Sequence, residues 1–475
     1  MTFSEPHAFD LTNKTQNIHV VGASGVEGTT VLLFLRREGF QNIVGHALCA
    51  KESFEKEILQ SHGLQEPAQK NELLSRVRAA AVPLHCDTEY LSGVEEADII
   101  FVPQSWELYP ENARLASLRE RLRNVMQLYV ALAPCKTIGV TGSDGKTTTA
   151  HLIWHILLSA GKPAWLSGNY RHGPHMLAEL STLDPNGFLV LEISNRHLNF
   201  GLPKTPNIAV ITNVTQNHLT EYKAFDEYIE TKGRILGSGT VAVLNADNPI
   251  TACYQNKRLA NRFLFSKHLE VNGACVRGEE IWMQDECLLS LADMPLAGEH
   301  NVENVLAAVT AVKLLGLSSA EIKKGVRTFA AVKERLQSLG FVDERELIND
   351  LSGTSMESTR RGVKAFSGRP LAVVLGGSTK GVDYAPLAQT LKEQGVVVCG
   401  VESEVADALR TLGVPLSTFN TAREALEDAH KKTPRGGAIL VSPAGAFFAS
   451  RYLPQGLEAV ISSLQWRVEK QAQAK

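Results

Sequence analysis

Short apolar runs that end in glycine or a turn alternate along this chain with stretches whose apolar residues recur three and four apart. Residues 17–22 read as a first strand, 29–38 as the helix after it, and 42–48 and 98–103 as further buried strands. Residues 51–80 are charged and helical in pattern, a surface elaboration. A second series of strands is predicted at 137–140, 188–192, 208–212 and 239–244, followed by short strands and turns over 255–295. A helix is expected to start near His300 and run on over 302–315. Beyond Ala331 a third series, 371–375, 396–401 and 438–442, alternates with helices. Strands separated by helical stretches predict parallel sheets with helices on both faces. The charged tail beyond Trp466 is expected to fray.

The sharpest local signal is Thr141-Gly142-Ser143-Asp144-Gly145-Lys146-Thr147-Thr148-Thr149. It joins the strand at 137–140 to a helix with an apolar face over 150–158. Glycines there let backbone N–H groups approach phosphate oxygens, and the helix start adds partial positive charge. Lys146 suits the β- and γ-phosphates, and the Thr147 hydroxyl suits Mg²⁺. The chain is therefore expected to bind a nucleoside triphosphate, with Gly142, Ser143, Asp144, Gly145, Lys146, Thr147 and Thr148 around its phosphates. Val140 stands where the standard phosphate-loop pattern has its first glycine. Gly22, Gly25 and Gly28 make a looser pattern after the first strand, open to two readings: a nucleotide pyrophosphate site, or tight packing alone. No acidic residue lies near the end of the second strand, which argues against a dinucleotide held through its ribose. The fold expected is α/β in three domains. A Rossmann-like N-terminal domain spans 1–134, a central P-loop-type ATPase domain with a mixed or parallel sheet spans 135–331, and a C-terminal Rossmann-like α/β domain spans 332–475.

Composition narrows the function classes. At 475 residues there is ample core for two to four domains. A net charge of −3 argues against bulk nucleic-acid binding, which needs a basic face. The 7 cysteines are scattered without a CxxC pair, which suits a reducing compartment and gives no zinc signature. Residues 1–14 are polar and mixed in charge, unlike a secretory leader, and no apolar run reaches the roughly 18 residues of a membrane span. A cytoplasmic protein with no nucleic-acid or membrane partner is expected.

Further motifs lie in a fixed order: Gly168-Asn169; Glu192-Ile-Ser194; Thr212-Asn213-Val214 with His218-Leu219; Lys232; Asn245-Ala-Asp247; Gly298-Glu-His300-Asn301-Val-Glu-Asn304; Glu334-Arg335; Ile348-Asn349-Asp350; Gly376-Gly-Ser-Thr-Lys380-Gly; and Ser442-Pro-Ala. Together with the loop at 141–149 they resemble the Mur ligase family, and within it the glutamate-adding type, from residue 137 to about 456. The resemblance implies a ligase that uses ATP to activate a carboxylate as an acyl phosphate, which an amine then attacks. Both steps gather negative charge, so positioning and cationic stabilisation carry the catalysis. It implies two Mg²⁺ ions, one held by Thr147 and Glu192 and a second with His218 as ligand, and a carbamylated Lys232 that supports the metals. Lys146, Glu192, His218 and Lys232 become the catalytic set. Asn301 and Asn304 match contacts to the adenine nucleotide, and Arg335 and Asp350 match a pair that reaches ATP from the third domain. A hinge near 331–333 would then close the site. Gly25, Val26, Asn169 and Ser194 would face the uridine-diphosphate substrate, UDP-N-acetylmuramoyl-L-alanine. Lys380, Thr354 and Ser442 would face the incoming glutamate. The protein is expected to work as a monomer.

Several positions depart from the family pattern. Ser352 stands where the glutamate ligases usually carry a second lysine, and Phe447 where a serine is usual. Asn217 and Thr220 replace aspartates flanking His218, and Tyr170-Arg171 follow Asn169 in place of Ile-Gly. No Asp-Asn-Pro-Arg run is present, which argues against a diaminopimelate- or lysine-adding enzyme. D-Glutamate is the default amine, with L-glutamate or another acidic amine as the alternative. A degenerate paralogue that binds nucleotide-sugar in a regulatory role is the rival outside catalysis.

Overall fold

Each series of apolar runs forms its own parallel sheet. The computed structural model describes residues 12–62, 64, 66–169, 176–216, 221–251, 254, 259, 261–296, 298–379, 381–464, 466, 468 and 469. In the first sheet β1 (Ile18–Val21), β2 (Ile43–Ala47), β3 (Leu84–Cys86), β4 (Ile99–Phe101) and β5 (Leu122–Arg123) lie in the order β3-β2-β1-β4-β5. The second holds β6 (Lys136–Thr141), β7 (Ala164–Gly168), β8 (Phe188–Glu192), β9 (Ile208–Ile211), β10 (Val241–Asn245) and β11 (Asn261–Phe265), ordered β11-β10-β9-β6-β8-β7. A small antiparallel sheet of β12 (Ala274–Arg277), β13 (Glu280–Met283) and β14 (Glu286–Ser290) follows. The last sheet is built from β15 (Gln337–Val342), β16 (Arg345–Asn349), β17 (Leu371–Gly376), β18 (Val397–Val401), β19 (Leu416–Phe419) and β20 (Ala438–Ala444). Its order is β15-β16-β20-β17-β18-β19, and it is parallel except for the antiparallel pair β15–β16.

The buried side chains show how these sheets join. One apolar cluster runs without a break from β1 and β2, through the helix Val125–Leu132, to one face of the second sheet. That helix is started by a capping box in which Asn124 accepts from Met126 N and Gln127 N while Gln127 Oε1 accepts from Asn124 N. The other face of the second sheet packs on the helices Lys146–Ser159 and Glu299–Leu314. The last sheet has its own apolar clusters on its two faces.

A row of histidines, two of them buried and His85 half-buried, crosses the first sheet. His46 pairs in register with His85 on β3, and its ring stacks on that of His85 at 5.4 Å between centroids. His19 Nδ1 lies 2.8 Å from His46 Nε2. Burial is the main cause that pushes His19 down to about 4 and His46 down to about 3, with neighbouring imidazoles adding to it.

Three expectations are corrected. The first helix starts at Val26 rather than Thr29, because Gly25 caps it and Gly28 lies against the Gly22 carbonyl, where a Cβ would collide. The β15–β16 hairpin was not expected; its turn, Asp343-Glu344, takes φ of 46° and 65° without the glycine or asparagine that marks such turns. The tail does not simply fray: Glu469 exchanges both backbone hydrogen bonds with Phe341, each 2.8 Å. No helix among the described residues is long and apolar enough to cross a membrane.

Candidate active site

The loop after β6 is shaped by glycines that admit no side chain. Gly142 (φ 153°) lies against the Thr212 hydroxyl and Gly145 (φ 81°) against Asn304 Oδ1, so a Cβ at either would collide. Polar bonds set the rest. Ser143 N donates to Asn213 O and Asp144 N to Asn213 Oδ1, both 2.9 Å, and Ser143 Oγ donates to Thr215 O at 3.1 Å. Asn304, buried on the helix Glu299–Leu314, takes a bond from Thr149 Oγ1 (3.4 Å) and donates to Asn301 Oδ1 (2.9 Å). Thr148 is buried at the start of the helix.

Two lysine amines converge on one carbonyl of this loop. Lys146 Nζ donates to Gly142 O at 2.9 Å and to Ser143 O at 2.8 Å. Lys232 Nζ, from the helix Phe225–Gly233, donates to the same Gly142 O at 2.8 Å and to Thr141 Oγ1 at 3.3 Å. Lys232 is fully buried. Burial, then the charge of Lys146, push its amine well below the ordinary lysine range. Burial also lowers Lys146, with Glu192 and Asp144 opposing.

Glu192 ends β8, next to the edge strand β7 of the second sheet, and is 2% exposed. Its Oε1 accepts from Asn169 Nδ2 at 3.1 Å, whereas its buried Oε2 has no hydrogen-bond partner. A buried carboxylate oxygen without a donor is costly unless something cationic meets it. Glu192 Oε2 with the Thr147 hydroxyl is a hard-oxygen donor set, which fits Mg²⁺ completed by phosphate and water. Among the described residues no three of His, Cys, Asp and Glu are grouped to hold a metal unaided. His218 lies outside the described residues.

A polar chain from the first domain ends on this carboxylate, and the sequence reading missed its middle. Gln104, just after β4, donates from N to Glu27 Oε2 (2.8 Å), and its side-chain amide donates to Asn169 Oδ1. Ser194 Oγ donates to Gln104 Oε1 at 2.5 Å, and His197 Nε2 lies 3.2 Å from Glu27 Oε1. Asn169 and Ser194 thus meet the first domain, and Gly25 and Val26 open the helix that carries Glu27. Gln104 follows a predicted buried strand and Pro103, which was the available signal.

From the last sheet, Arg335 Nη2 donates to Thr147 Oγ1 at 3.2 Å, and Arg361, not singled out from sequence, places Nη1 3.5 Å from Asp144 Oδ2. Asp350 and Ser442 are bonded to one another at neighbouring strand ends. Ser442 is fully buried in β20, and its Oγ donates to Asp350 Oδ2 and meets Thr359 Oγ1, each at 2.7 Å. Asp350 Oδ1 accepts from Leu336 N at 3.2 Å. Burial pushes the Asp350 carboxyl up to about 6, against the Ser442 bond. Thr354 is half-buried on the same edge, and Lys380 lies outside the described residues.

A phosphate loop after β6, a carboxylate at the end of the adjoining β8 and a buried lysine on the helix Phe225–Gly233 lie together in an α/β architecture of the ligase class. The Mur ligase middle-domain model matches residues 140–312. The UDP-N-acetylmuramoylalanine--D-glutamate ligase of Solibacter usitatus is 35% identical over 320 residues, 66% of this chain and 72% of that protein. The protein of that name in Pelotomaculum thermopropionicum is 30% identical over 451 residues, 92% of this chain and 94% of its own. Among solved structures, UDP-N-acetylmuramate-alanine ligase MurC from Thermotoga maritima superposes with a TM-score of 0.63 at 20% identity, over 94% of this chain and all of that one. A pseudomurein peptide ligase type C from Methanothermus fervidus gives 0.58 at 17%, over 95% of this chain and 100% of its own. These two likenesses concern the fold alone. The chain belongs to the Mur ligase family of ATP-dependent amide ligases.

Proposed function

We propose that this chain joins glutamate, D-glutamate by default, to UDP-N-acetylmuramoyl-L-alanine in peptidoglycan precursor synthesis, with release of ADP and phosphate. The observation that carries the reading is the convergence of Lys146 and Lys232 on the Gly142 carbonyl beside the unpartnered Glu192 Oε2. The names of the D-glutamate ligases that align over most of this chain support the substrates. In this reading domain 1–134 binds the UDP-substrate, 135–331 binds ATP and 332–475 binds the amine.

Each residue has a physical task. Loop N–H groups and Lys146 hold the triphosphate in line with the substrate carboxylate, and Arg335 adds a cation from the far side. Thr147 and Glu192 would hold Mg²⁺, which when bound neutralises charge on the transferring phosphoryl group. Lys232, buried and held towards its neutral form, is primed to add CO₂: the Nζ lone pair bonds carbon, a proton leaves nitrogen, and a carbamate anion results. His218 and a second Mg²⁺ complete this assignment. Asp350 reaches ATP from the third domain, and Ser442, with Thr354 and Lys380, faces the incoming amine. The enzyme works in the cytoplasm as a monomer.

Phosphate release with ATP and UDP-N-acetylmuramoyl-L-alanine tests the reading, with D-Glu, L-Glu, D-Asp or no amine added in turn. Fast amine-dependent release with D-Glu is expected. No amine-dependent phosphate from any of them refutes the ligase. Release only with L-Glu keeps the chemistry and overturns the stereochemistry.

A further inference from the structure

The third domain carries an aromatic side chain that folding does not explain. Phe447 is 61% exposed and takes a left-handed backbone (φ 60°) just past β20. Ala444, three residues earlier, is left-handed as well (φ 61°). An exposed phenylalanine earns no burial, and a left-handed backbone costs a residue with a side chain roughly 1 kcal/mol or more. Two such residues in one turn point to a task for the side chain that the turn presents.

That task is legible in what Phe447 touches. Its ring lies 5.5 Å from the Arg451 guanidinium carbon, in cation–π geometry. Arg451 Nη1 donates to Ser378 Oγ at 3.1 Å. Ser378, in the glycine-rich loop after β17, exchanges both backbone bonds with Ala446 at 2.9 Å. Glu404 accepts from Thr379 N (2.9 Å) and Thr379 Oγ1 (3.0 Å) of the same loop, and its carboxylate lies within electrostatic reach of Arg451. The Ser378 bond uses one of the five N–H groups of a guanidinium, whose planar fork matches a carboxylate. The strands β16, β20 and β17 are neighbours, so Asp350, Phe447 and Ser378 all follow carboxyl ends along one sheet edge. Arg335 meets Thr147 of the phosphate loop from beside that edge, since Leu336 N bonds Asp350. Carboxyl ends of parallel strands are where α/β sheets bind ligands.

We infer that Arg451, held in place by the Phe447 ring and Ser378, binds a carboxylate of the incoming amino acid and makes this pocket selective for a dicarboxylic amine. The assignment rests on the ligase reading above. It restores, from a different position, the positive charge that the pocket lacks with Ser352 in place of lysine. Phe447, where a serine hydroxyl is usual, acts as a positioning residue for the guanidinium.

Steady-state kinetics on the full-length chain test it, with glutamate and glutamine as competing amines. Arg451→Ala is expected to raise the glutamate KM by about tenfold or more and to bring the glutamate and glutamine kcat/KM values close together, with the ATP and UDP-substrate KM unchanged. Arg451→Lys should fall between, because it keeps charge but not the fork. Phe447→Ser should raise the glutamate KM less than Arg451→Ala. Borohydride trapping of the acyl phosphate without amine reports the first half-reaction, which all three variants should retain, and this also shows that they are folded. An unchanged glutamate KM in Arg451→Ala, or an equal rise in all three KM values, overturns the inference while trapped acyl phosphate leaves the ligase standing. A wild-type enzyme that traps no acyl phosphate overturns both.

Discussion

Lys232 shows how its surroundings set the charge state of one side chain. A lysine with no exposure and a cationic neighbour on the same carbonyl is held away from its ammonium form. Conversion to a carbamate would replace a charge that Lys146 repels by one that it attracts. Lys232→Ala should therefore lower kcat by at least about a hundredfold, with partial recovery in millimolar formate or acetate, read by phosphate release. Full activity of Lys232→Ala would reject the carbamate. The resemblance to the Mur ligases, carried by motifs in a fixed order, made Lys232 visible in the chain. Gln104 was not visible: a lone glutamine after a strand acquires meaning only when Glu27, Asn169 and Ser194, distant in sequence, are brought to it.

At the scale of elements, parallel sheets were legible because their strands are buried on both faces and so read as continuous apolar runs. The hairpin β15–β16 has only a short fully buried run, at the end of β16, and turns through Asp343-Glu344 without glycine or asparagine, so neither signal marked it. The first sheet carries a consequence of its own in the histidine row on β1, β2 and β3. In the unfolded chain these imidazoles titrate near 6.5, whereas His19 and His46 are held at about 4 and about 3 in the fold. As pH falls through 6.5 the unfolded chain takes up protons that the folded one refuses, so stability drops. Arg114 opposes protonation of His46, and Glu95 favours that of His19 only weakly. Each histidine should cost about 2 kcal/mol between pH 7.5 and pH 5. Thermal melting across that range should show a steep loss, and His46→Gln should flatten it. An unchanged slope would mean that other groups govern acid lability.

Across the whole molecule, the first two sheets share an apolar core, whereas the last meets the phosphate loop through polar contacts of Arg335 and Arg361. Glu334 (φ 62°) and Leu336 (φ 42°) bend the chain beside the expected hinge at 331–333. Polar, partly exposed contacts of this kind are worth roughly 1 kcal/mol or less, which suits an equilibrium between open and closed forms. Arg361→Ala should shift that balance about fivefold. Small-angle scattering with ATP bound should then report a larger radius of gyration, and kcat should fall by a similar factor. Identical scattering and kinetics would show that Arg361 does not hold the domains together. The chain Glu27–Gln104–Asn169–Glu192 crosses the other boundary and imposes reciprocity. A coupling carried by these bonds would act equally in both directions: what an occupant of the first domain did through Gln104 to cation binding at Glu192, the cation would do to the occupant.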